Sequence, residues 1–169
     1  MNRNVRRVVT GHDEQGRSVV VADGPVPHSH ELPGARFMEV WTTDRAPAPI
    51  RAQEAQEPTD RPLTLGSEAG GSVIRVIDIY PSSAGGGQPS PMHRTRTIDY
   101  GIVLEGEILM LLPGGVEVSL KAGDIVVQRG TDHAWQNKSD RTARMAFILL
   151  DGVFSEELRA KLPTMELTP

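Results

Sequence analysis

Short apolar runs, each bounded by glycine or proline, divide most of this 169-residue chain, which holds 17 glycines and 13 prolines. Such runs, rich in valine and isoleucine, are typical of short strands joined by tight turns. The longest uninterrupted apolar run is Met145–Leu150, far below the roughly 18 residues that a membrane-spanning helix needs. The pattern predicts a single all-β domain with no membrane contact.

Alternating or β-branched segments mark the individual strands. The clearest is 72–80, where apolar and β-branched residues occupy both faces, as in a central strand. We expect a Pro-rich loop at 24–34, a long loop or partly ordered linker at 44–71, and one helix at 154–162 with Ser155 as its N-cap. Strands are predicted at 6–10, 18–22, 35–43, 72–80, 99–110 with an interruption at Gly106, 116–120, 125–128, 133–137 and 144–150.

The predicted strands and loops divide the chain into three parts. Residues 1–71 supply N-terminal strands and the Pro-rich loop, which pack on the barrel or on a dimer partner. Residues 72–152 form a small barrel whose closure removes exposed strand edges. Residues 153–169 form a C-terminal helix and tail.

The composition excludes several classes of function. There is no cysteine, so disulfides, thiolate metal sites and a cysteine nucleophile are excluded, and any metal must be held by nitrogen and oxygen. The formal net charge is −4 and aromatic residues are few, which argues against nucleic-acid binding. No apolar segment follows the N-terminal arginines, so we expect a soluble, cytoplasmic protein.

Two segments combine histidines and polar residues with regularly spaced glycines. The first runs from Gly87 through His93, Thr95 and Asp99 to Gly106. The second contains Gly123, Gln128, Gly130, His133 and Asn137. In a strand, residues two apart share a face, so His93 and Thr95 can point into a barrel together, as can His133 and Trp135.

These segments resemble the two motifs of the cupin superfamily, in small single-domain proteins of the cupin-2 type. The spacing of glycines and histidines matches the cupin motifs over about residues 72–150. Asp99 stands where the family has a glutamate, and there are three further departures. Thr95 replaces the second histidine, Gln128 replaces a proline, and the Gly123–Gln128 interval is one residue short. The resemblance implies a cupin barrel (double-stranded β-helix or jelly roll) with N-terminal extra strands and a short C-terminal helix.

The resemblance also implies a metal site. In cupins the corresponding side chains converge on one divalent metal, which assigns His93, Asp99 and His133 as ligands here. Two imidazoles and a carboxylate are typical of non-haem Fe(II), although Mn, Ni or Zn can use the same set. Thr95 and Gln128 are candidates for positions beside the metal, and Thr95 and Trp135 for the wall of the substrate pocket. The side chains of Arg94 and Tyr100 have the opposite parity to the neighbouring candidate ligands. We therefore expect these two side chains to pack elsewhere or to be exposed to solvent.

The tripeptide His28-Ser-His30 is a second potential ligand pair. It lies among prolines and no partner motif stands at a suitable distance. We therefore interpret it as a surface or subunit-contact loop.

The resulting functional hypothesis is a metal-dependent enzyme that acts on a small organic molecule, with an oxygen-dependent oxidoreductase or dioxygenase-like activity. Two alternatives stay open. One is a redox-neutral metal-dependent decarboxylase, isomerase or cyclase, and the other is a non-catalytic ligand-binding protein, which the loss of a histidine at Thr95 favours. Apolar strand-like segments at 5–22 and 35–43 outside the motif region predict a homodimer.

Overall fold

The computed structural model describes residues 4–81 and 88–162, which form an all-β protein with one short helix, as predicted. In chain order the strands are β1 (Arg6–His12), β2 (Ser18–Pro25), β3 (His28–Leu32), β4 (Ala35–Thr43), β5 (Ser72–Ile79), β6 (Thr97–Glu105), β7 (Glu107–Leu112), β8 (Val116–Lys121), β9 (Ile125–Arg129), β10 (Ala134–Gln136) and β11 (Ala143–Asp151), and the helix is α1 (Glu156–Lys161).

Two antiparallel sheets enclose the interior. A six-stranded sheet has the order β3-β4-β5-β11-β6-β9, and a three-stranded sheet has the order β10-β7-β8. The main apolar core joins the two sheets through β7 and β8 on one side and β5, β6 and β11 on the other. Its buried members are Val73, Val103, Ile108, Met110, Leu120, Trp135, Ala143, Met145, Phe147 and Leu149.

The alternation along the strands determines which side chains reach this interior. On β6, Thr97, Asp99, Gly101 and Val103 are buried, while the intervening residues face outward. Because side chains alternate across a strand, Asp99 lies on the inward-facing side of β6, in the interior. A polar residue at such a position is informative because burial of an unpaired polar group is unfavourable.

Helix α1 and the long loop agree with the sequence-based predictions. The Ser155 hydroxyl caps the helix by accepting a hydrogen bond from the backbone N–H of Leu158 at 3.2 Å. Residues 44–71 contain neither helix nor strand. No helix of the described chain is long and apolar enough to cross a membrane.

The predicted loop at 24–34 is wrong, because residues 28–32 form β3 and pair with β4. The two strands are joined by Pro33 and Gly34, since Leu32 pairs directly with Ala35. Gly34 has a φ of 83°, a conformation that suits the position after proline in a tight turn. β3 is an edge strand, where nearby prolines are tolerated because one side of the strand needs no hydrogen bonds.

β4 also joins the barrel directly. It lies between β3 and β5, so the sheet is continuous across residue 71. In the described chain the β1–β2 hairpin forms a separate two-stranded sheet. A small second apolar cluster of Val26, Met38 and Val76, with Val5 beside it, lies near the end of this hairpin.

A buried ion pair attaches the long loop to the hairpin. The Arg7 guanidinium donates two hydrogen bonds of 2.8 Å to Glu57, and the backbone and hydroxyl of Thr59 donate to the same carboxylate at 3.1 and 2.7 Å. These contacts, chiefly the Arg7 hydrogen bonds, lower the pKa of Glu57 to about 2. Arg7 also donates to the Val40 carbonyl and lies over Trp41, so the pair connects hairpin, loop and β4.

We expect Glu57→Gln to lower the free energy of unfolding at neutral pH by about 1–3 kcal/mol, because charge-assisted hydrogen bonds are lost. The folded pKa lies below the unfolded one, so this stabilisation is present above the unfolded pKa of about 4.3 and is lost as the pH falls towards 2. Urea denaturation of both proteins across this range measures the difference. Glu54→Gln, which removes an exposed pair with Arg51, is the control and should change stability by less than about 0.5 kcal/mol. A pH-independent difference for Glu57→Gln would contradict this assignment.

Candidate functional site

A cavity of about 930 Å³ opens into the barrel between the two sheets. It is large enough for a small organic ligand. Most of its wall is apolar and is supplied by Phe37, Ile77, Ile79, Trp135, Phe147 and Leu149, among others. The polar side chains on the wall are Arg75, Gln88, Ser90, His93, Thr95, Asp99, Gln128, His133 and Asn137.

His93 and His133 form the centre of the polar wall. Each backbone N–H donates to the other residue's carbonyl at 3.0 Å, which makes an isolated antiparallel bridge. The bridge places the two rings beside each other, with centroids 4.3 Å apart and planes tilted by 57°. Residues forty positions apart in the chain are thus held as a pair by backbone hydrogen bonds alone.

The ring orientations follow from a second pair of backbone contacts. His93 Nδ1 lies 2.9 Å from the Pro91 carbonyl, and His133 Nδ1 lies 2.9 Å from the Thr131 carbonyl. A carbonyl only accepts, so each neutral ring carries its proton on Nδ1 and leaves an Nε2 lone pair. Two neighbouring Nε2 atoms are therefore available as bases or as metal ligands.

Burial keeps His133 uncharged. The residue is 3% exposed, and desolvation is the main reason that its pKa is lowered to about 4, with the nearby His93 acting in the same direction. At neutral pH the ring is a neutral base with a free lone pair. Proton acceptance and metal binding both require this form.

Trp135 continues the row of rings into the barrel. Its ring centroid lies 6.0 Å from that of His133 and 5.5 Å from that of Phe147, both in edge-to-face orientation. Its backbone N–H donates to the Ser90 hydroxyl at 2.9 Å. Trp135 thus lies on the cavity wall, next to the imidazole pair, and supplies a flat apolar surface.

Asp99 lies on the same cavity wall as the two histidines, and its carboxyl group interacts electrostatically with His93. Among residues 4–81 and 88–162 no three histidine, aspartate or glutamate side chains are arranged to hold one metal ion. Asp99 is 4% exposed and its Oδ1 has no hydrogen-bond partner. Burial raises its pKa, and a hydrogen bond from Thr97 opposes that effect. The three predicted ligands thus line one cavity, with the two imidazoles side by side, while the described side chains are not grouped as a three-residue metal site.

Thr95 and Gln128 are both buried on the cavity wall. The Thr95 hydroxyl is hydrogen-bonded to that of Thr97 at 2.7 Å. Gln128 pairs with Asp99 across β6 and β9, and its Nε2 contacts Met110 Sδ at 3.8 Å, while its Oε1 has no partner. The side chains predicted to surround the site thus share one cavity.

Comparisons with known proteins agree with this arrangement. The family model described as Cupin domain matches residues 83–149. The phomopsin biosynthesis cluster protein C' of Diaporthe leptostromiformis is 38% identical over 155 residues, which cover 88% of this chain and 79% of that protein. The protein fogC of Aspergillus ruber, named a cupin-domain-containing oxidoreductase, is 35% identical over 157 residues, covering 87% and 72%. The chain belongs to the cupin superfamily.

A solved structure shows the same fold. The cupin domain of Cnp3 from Schizosaccharomyces pombe superposes with a TM-score of 0.53 at 11% identity, covering 96% of this cupin and 98% of that domain. At this identity the likeness concerns the fold alone. It confirms the predicted cupin barrel.

Sequence reasoning missed the buried ion pairs around the cupin site. Arg94, predicted to pack or to be exposed, is 3% exposed and donates to both carboxylate oxygens of Asp132 at 2.8 and 2.6 Å. This pair joins the segments that carry His93 and His133. Arg75 is 2% exposed and pairs with Glu39. Arg75 interrupts the apolar run of β5, and this interruption was the only signal for its pair, whereas Arg94 lies in a polar, Pro-rich segment that gave no signal.

Asn137 has a structural role in this cupin. Its Nδ2 donates to the carbonyls of Ile79 and Arg141 at 2.9 and 2.7 Å, and its Oδ1 accepts from Ser139. These bonds fix the turn before β11 to the end of β5. The side chain therefore borders the cavity while its polar atoms hold the backbone.

The His28-Ser-His30 tripeptide lies on strand β3, where His28 pairs with Glu39 and His30 with Phe37. Neither histidine is among the cavity-lining residues. Gly87, the first glycine of the first motif, lies outside the described residues. Gly130 of the second motif has a φ of 60°, and a Cβ there would lie 2.5 Å from the Phe154 ring, so only glycine suits this position.

The lowered pKa of His133 predicts a dependence of stability on pH. The folded state binds this proton less readily than the unfolded state, so stability falls as the pH drops from about 6.5 towards 4, by about 3 kcal/mol in total. Imidazole proton chemical shifts should give a midpoint near 4 for His133. Urea denaturation of His133→Gln should show a smaller loss over the same range. A midpoint near 6.5 for His133 would contradict the burial argument.

Proposed function

We propose that this cupin is an oxidoreductase that acts on a small, largely apolar organic molecule bound in the barrel cavity. The observation that carries the proposal is the His93–His133 pair, whose two unprotonated Nε2 atoms border an apolar cavity of about 930 Å³. Relatives named cupin-domain-containing oxidoreductases support the reaction class. A cytoplasmic location belongs to the same proposal.

The acid–base part of the proposed reaction follows from the ring orientations. Nε2 of neutral His133 accepts a proton from an O–H or activated C–H group of the substrate. The carbonyl of Thr131 at Nδ1 stabilises the ring that has gained this proton. The neighbouring His93 is less buried and is placed to exchange protons with solvent.

A divalent transition metal remains part of the proposal, with Fe(II) favoured and Mn, Ni or Zn as alternatives. The described side chains offer it the two imidazoles of His93 and His133, and Asp99 lies on the same wall without completing a three-residue group. Such a metal would supply Lewis acidity or dioxygen activation. Dioxygen is the proposed electron acceptor.

Metal binding and oxygen consumption test this function. We expect protein loaded anaerobically with Fe(II) to bind about one equivalent and to consume oxygen with a reactive substrate. His133→Ala should lower metal affinity at least tenfold, whereas His30→Ala, on strand β3, should leave it unchanged. Elemental analysis and an oxygen electrode provide the measurements. The reverse outcome for the two histidines would contradict the site assignment, and substoichiometric metal in every preparation would contradict metal dependence.

A redox-neutral reaction is the second candidate. Two neutral imidazoles without a third ligand are suited to proton transfer, as in isomerisation or cyclisation of a carbonyl compound. Turnover that persists in chelator-treated protein without oxygen would favour this candidate over the oxidoreductase. Binding without turnover under either condition would favour a non-catalytic ligand-binding protein.

We also propose a homodimer. The sequence predicts a homodimer from the apolar segments 5–22 and 35–43. Residues 35–43 form β4, which is covered on both edges by β3 and β5, whereas residues 5–22 include the exposed Val8, Val20 and Val21. The outer face of β6, β9 and β11 is the better candidate, because large apolar side chains lie exposed there on neighbouring strands. They are Ile98, Tyr100, Leu104, Ile125, Val127 and Leu150. A second copy packed by two-fold symmetry would cover this face on both subunits.

A charged side chain introduced on this face should prevent the association of two copies of the chain. We expect the unmodified chain to be a dimer at micromolar concentration and Val127→Glu to be a folded monomer, because a buried unpaired carboxylate is unfavourable. Light scattering after size exclusion measures the mass. Val116→Glu is the matched control, since Val116 is equally exposed on β8 of the other sheet. A monomeric unmodified chain, or dissociation by the control alone, would contradict the proposal.

A further inference from the structure

Two hydrogen-bond acceptors without partners lie side by side in the cavity wall. Asp99 on β6 and Gln128 on β9 are directly opposite each other in the antiparallel register, so their Cβ atoms are about 5 Å apart. They are 4% and 3% exposed, and both line the cavity. Asp99 Oδ1 and Gln128 Oε1 each lack a hydrogen-bond partner.

Such a pair is unfavourable in the folded protein alone. A buried acceptor without a donor is unfavourable because it has lost its hydrogen bonds to water, and almost all buried polar groups in proteins are hydrogen-bonded. The Thr95 and Thr97 hydroxyls are hydrogen-bonded to each other and Thr97 also interacts with the Asp99 carboxyl group, but Asp99 Oδ1 has no partner, and the Gln128 amide nitrogen contacts Met110 Sδ. A ligand that brings a hydrogen-bond donor would remove this cost.

The charges around the cavity favour an uncharged donor over an anion. Arg75 is the cationic side chain on the described wall, and it already faces Glu39, with Nε 3.1 Å from Oε1. An anionic ligand would place a second acidic group beside the buried carboxyl group of Asp99, which is unfavourable. Phe37, Trp135 and Phe147 add flat apolar surface, which suits an aromatic ring.

We propose that Asp99 and Gln128 form a substrate-recognition site for the hydroxyl group of an uncharged aromatic molecule, a phenol rather than a carboxylate or an ether. The inference rests on the proposed function in that it gives the substrate class of the same cavity. It assigns Asp99 to the ligand instead of to a metal triad, and among the described residues no group of three side chains is arranged to hold a metal ion. A bound hydroxyl donates its single hydrogen between Asp99 Oδ1 and Gln128 Oε1 as a shared, three-centre hydrogen bond, and it lies in the cavity that His133 borders.

Three probes of one shape test this assignment: β-naphthol, its methyl ether and β-naphthoate. They share an apolar naphthalene ring system and differ in the attached group. This group is a hydrogen-bond donor in β-naphthol, an acceptor in the methyl ether and an anion in β-naphthoate. Isothermal titration calorimetry of the unmodified protein should give at least tenfold tighter binding of β-naphthol than of either analogue. Equal affinities for β-naphthol and its ether would overturn the proposal, as would the absence of binding by all three probes.

Variants of Gln128 and Asp99 separate recognition from folding. Gln128→Met removes an acceptor at similar volume and should weaken β-naphthol binding about five- to tenfold while leaving the ether unchanged. Gln128→Glu keeps an acceptor and should retain the preference for β-naphthol. Asp99→Asn removes the acidic group and should reduce the difference in affinity between β-naphthol and β-naphthoate. Gln15→Met, in an exposed turn, is the control and should match the unmodified protein.

The outcomes distinguish this inference from the proposed function. Because calorimetry requires neither metal nor turnover, a preference for β-naphthol that depends on Gln128 supports the inference even if no oxidation is found. Oxygen consumption without any donor preference would leave the oxidoreductase proposal standing and overturn the inference. A preference unchanged in both Gln128→Met and Asp99→Asn would also overturn it, and loss of metal binding in Asp99→Asn would return Asp99 to the metal site.

Discussion

The reciprocal backbone hydrogen bonds between His93 and His133 are the interaction on which the site depends. They join two segments from different parts of the chain at the cavity wall and bring the two imidazoles to 4.3 Å. The Arg94–Asp132 ion pair lies on the neighbouring residues and reinforces the same junction. Since both rings also use Nδ1 on a backbone carbonyl, the backbone determines the orientation as well as the position of each Nε2 atom.

The buried polar groups of this protein divide into two classes by their partners. Arg144 and Asp78 are directly opposite on β11 and β5 and form two hydrogen bonds of 2.6 and 2.7 Å. Asn137 is likewise saturated by backbone groups. Such groups stabilise the fold, and removal of one partner would leave a buried polar group unpaired. The lone pairs of His93, His133, Asp99 and Gln128 on the cavity wall have no such role, and they are the groups that a ligand can use.

Strand positions, the glycine-bounded turns and the identity of the cavity residues could be predicted from the sequence because they depend on local rules. Alternation along 72–80 identified a central strand, and the shared parity of His133 and Trp135 placed both in the barrel interior, where the structure has them. The β3 strand could not be found this way. Its five residues carry little apolar signal, and prolines on both sides obscure an edge strand that is held by pairing with β4.

By itself the sequence determined the all-β class, the absence of thiol chemistry and the set of side chains available to the site, since these follow from residue type and spacing. Tertiary structure decided how those side chains are grouped. Register across β6 and β9 pairs Asp99 with Gln128, while the isolated bridge pairs His93 with His133. A sequence motif identifies which types of ligand side chain are present. The distances between side chains on different strands depend on barrel closure and strand register, which cannot be calculated from residue spacing along the chain.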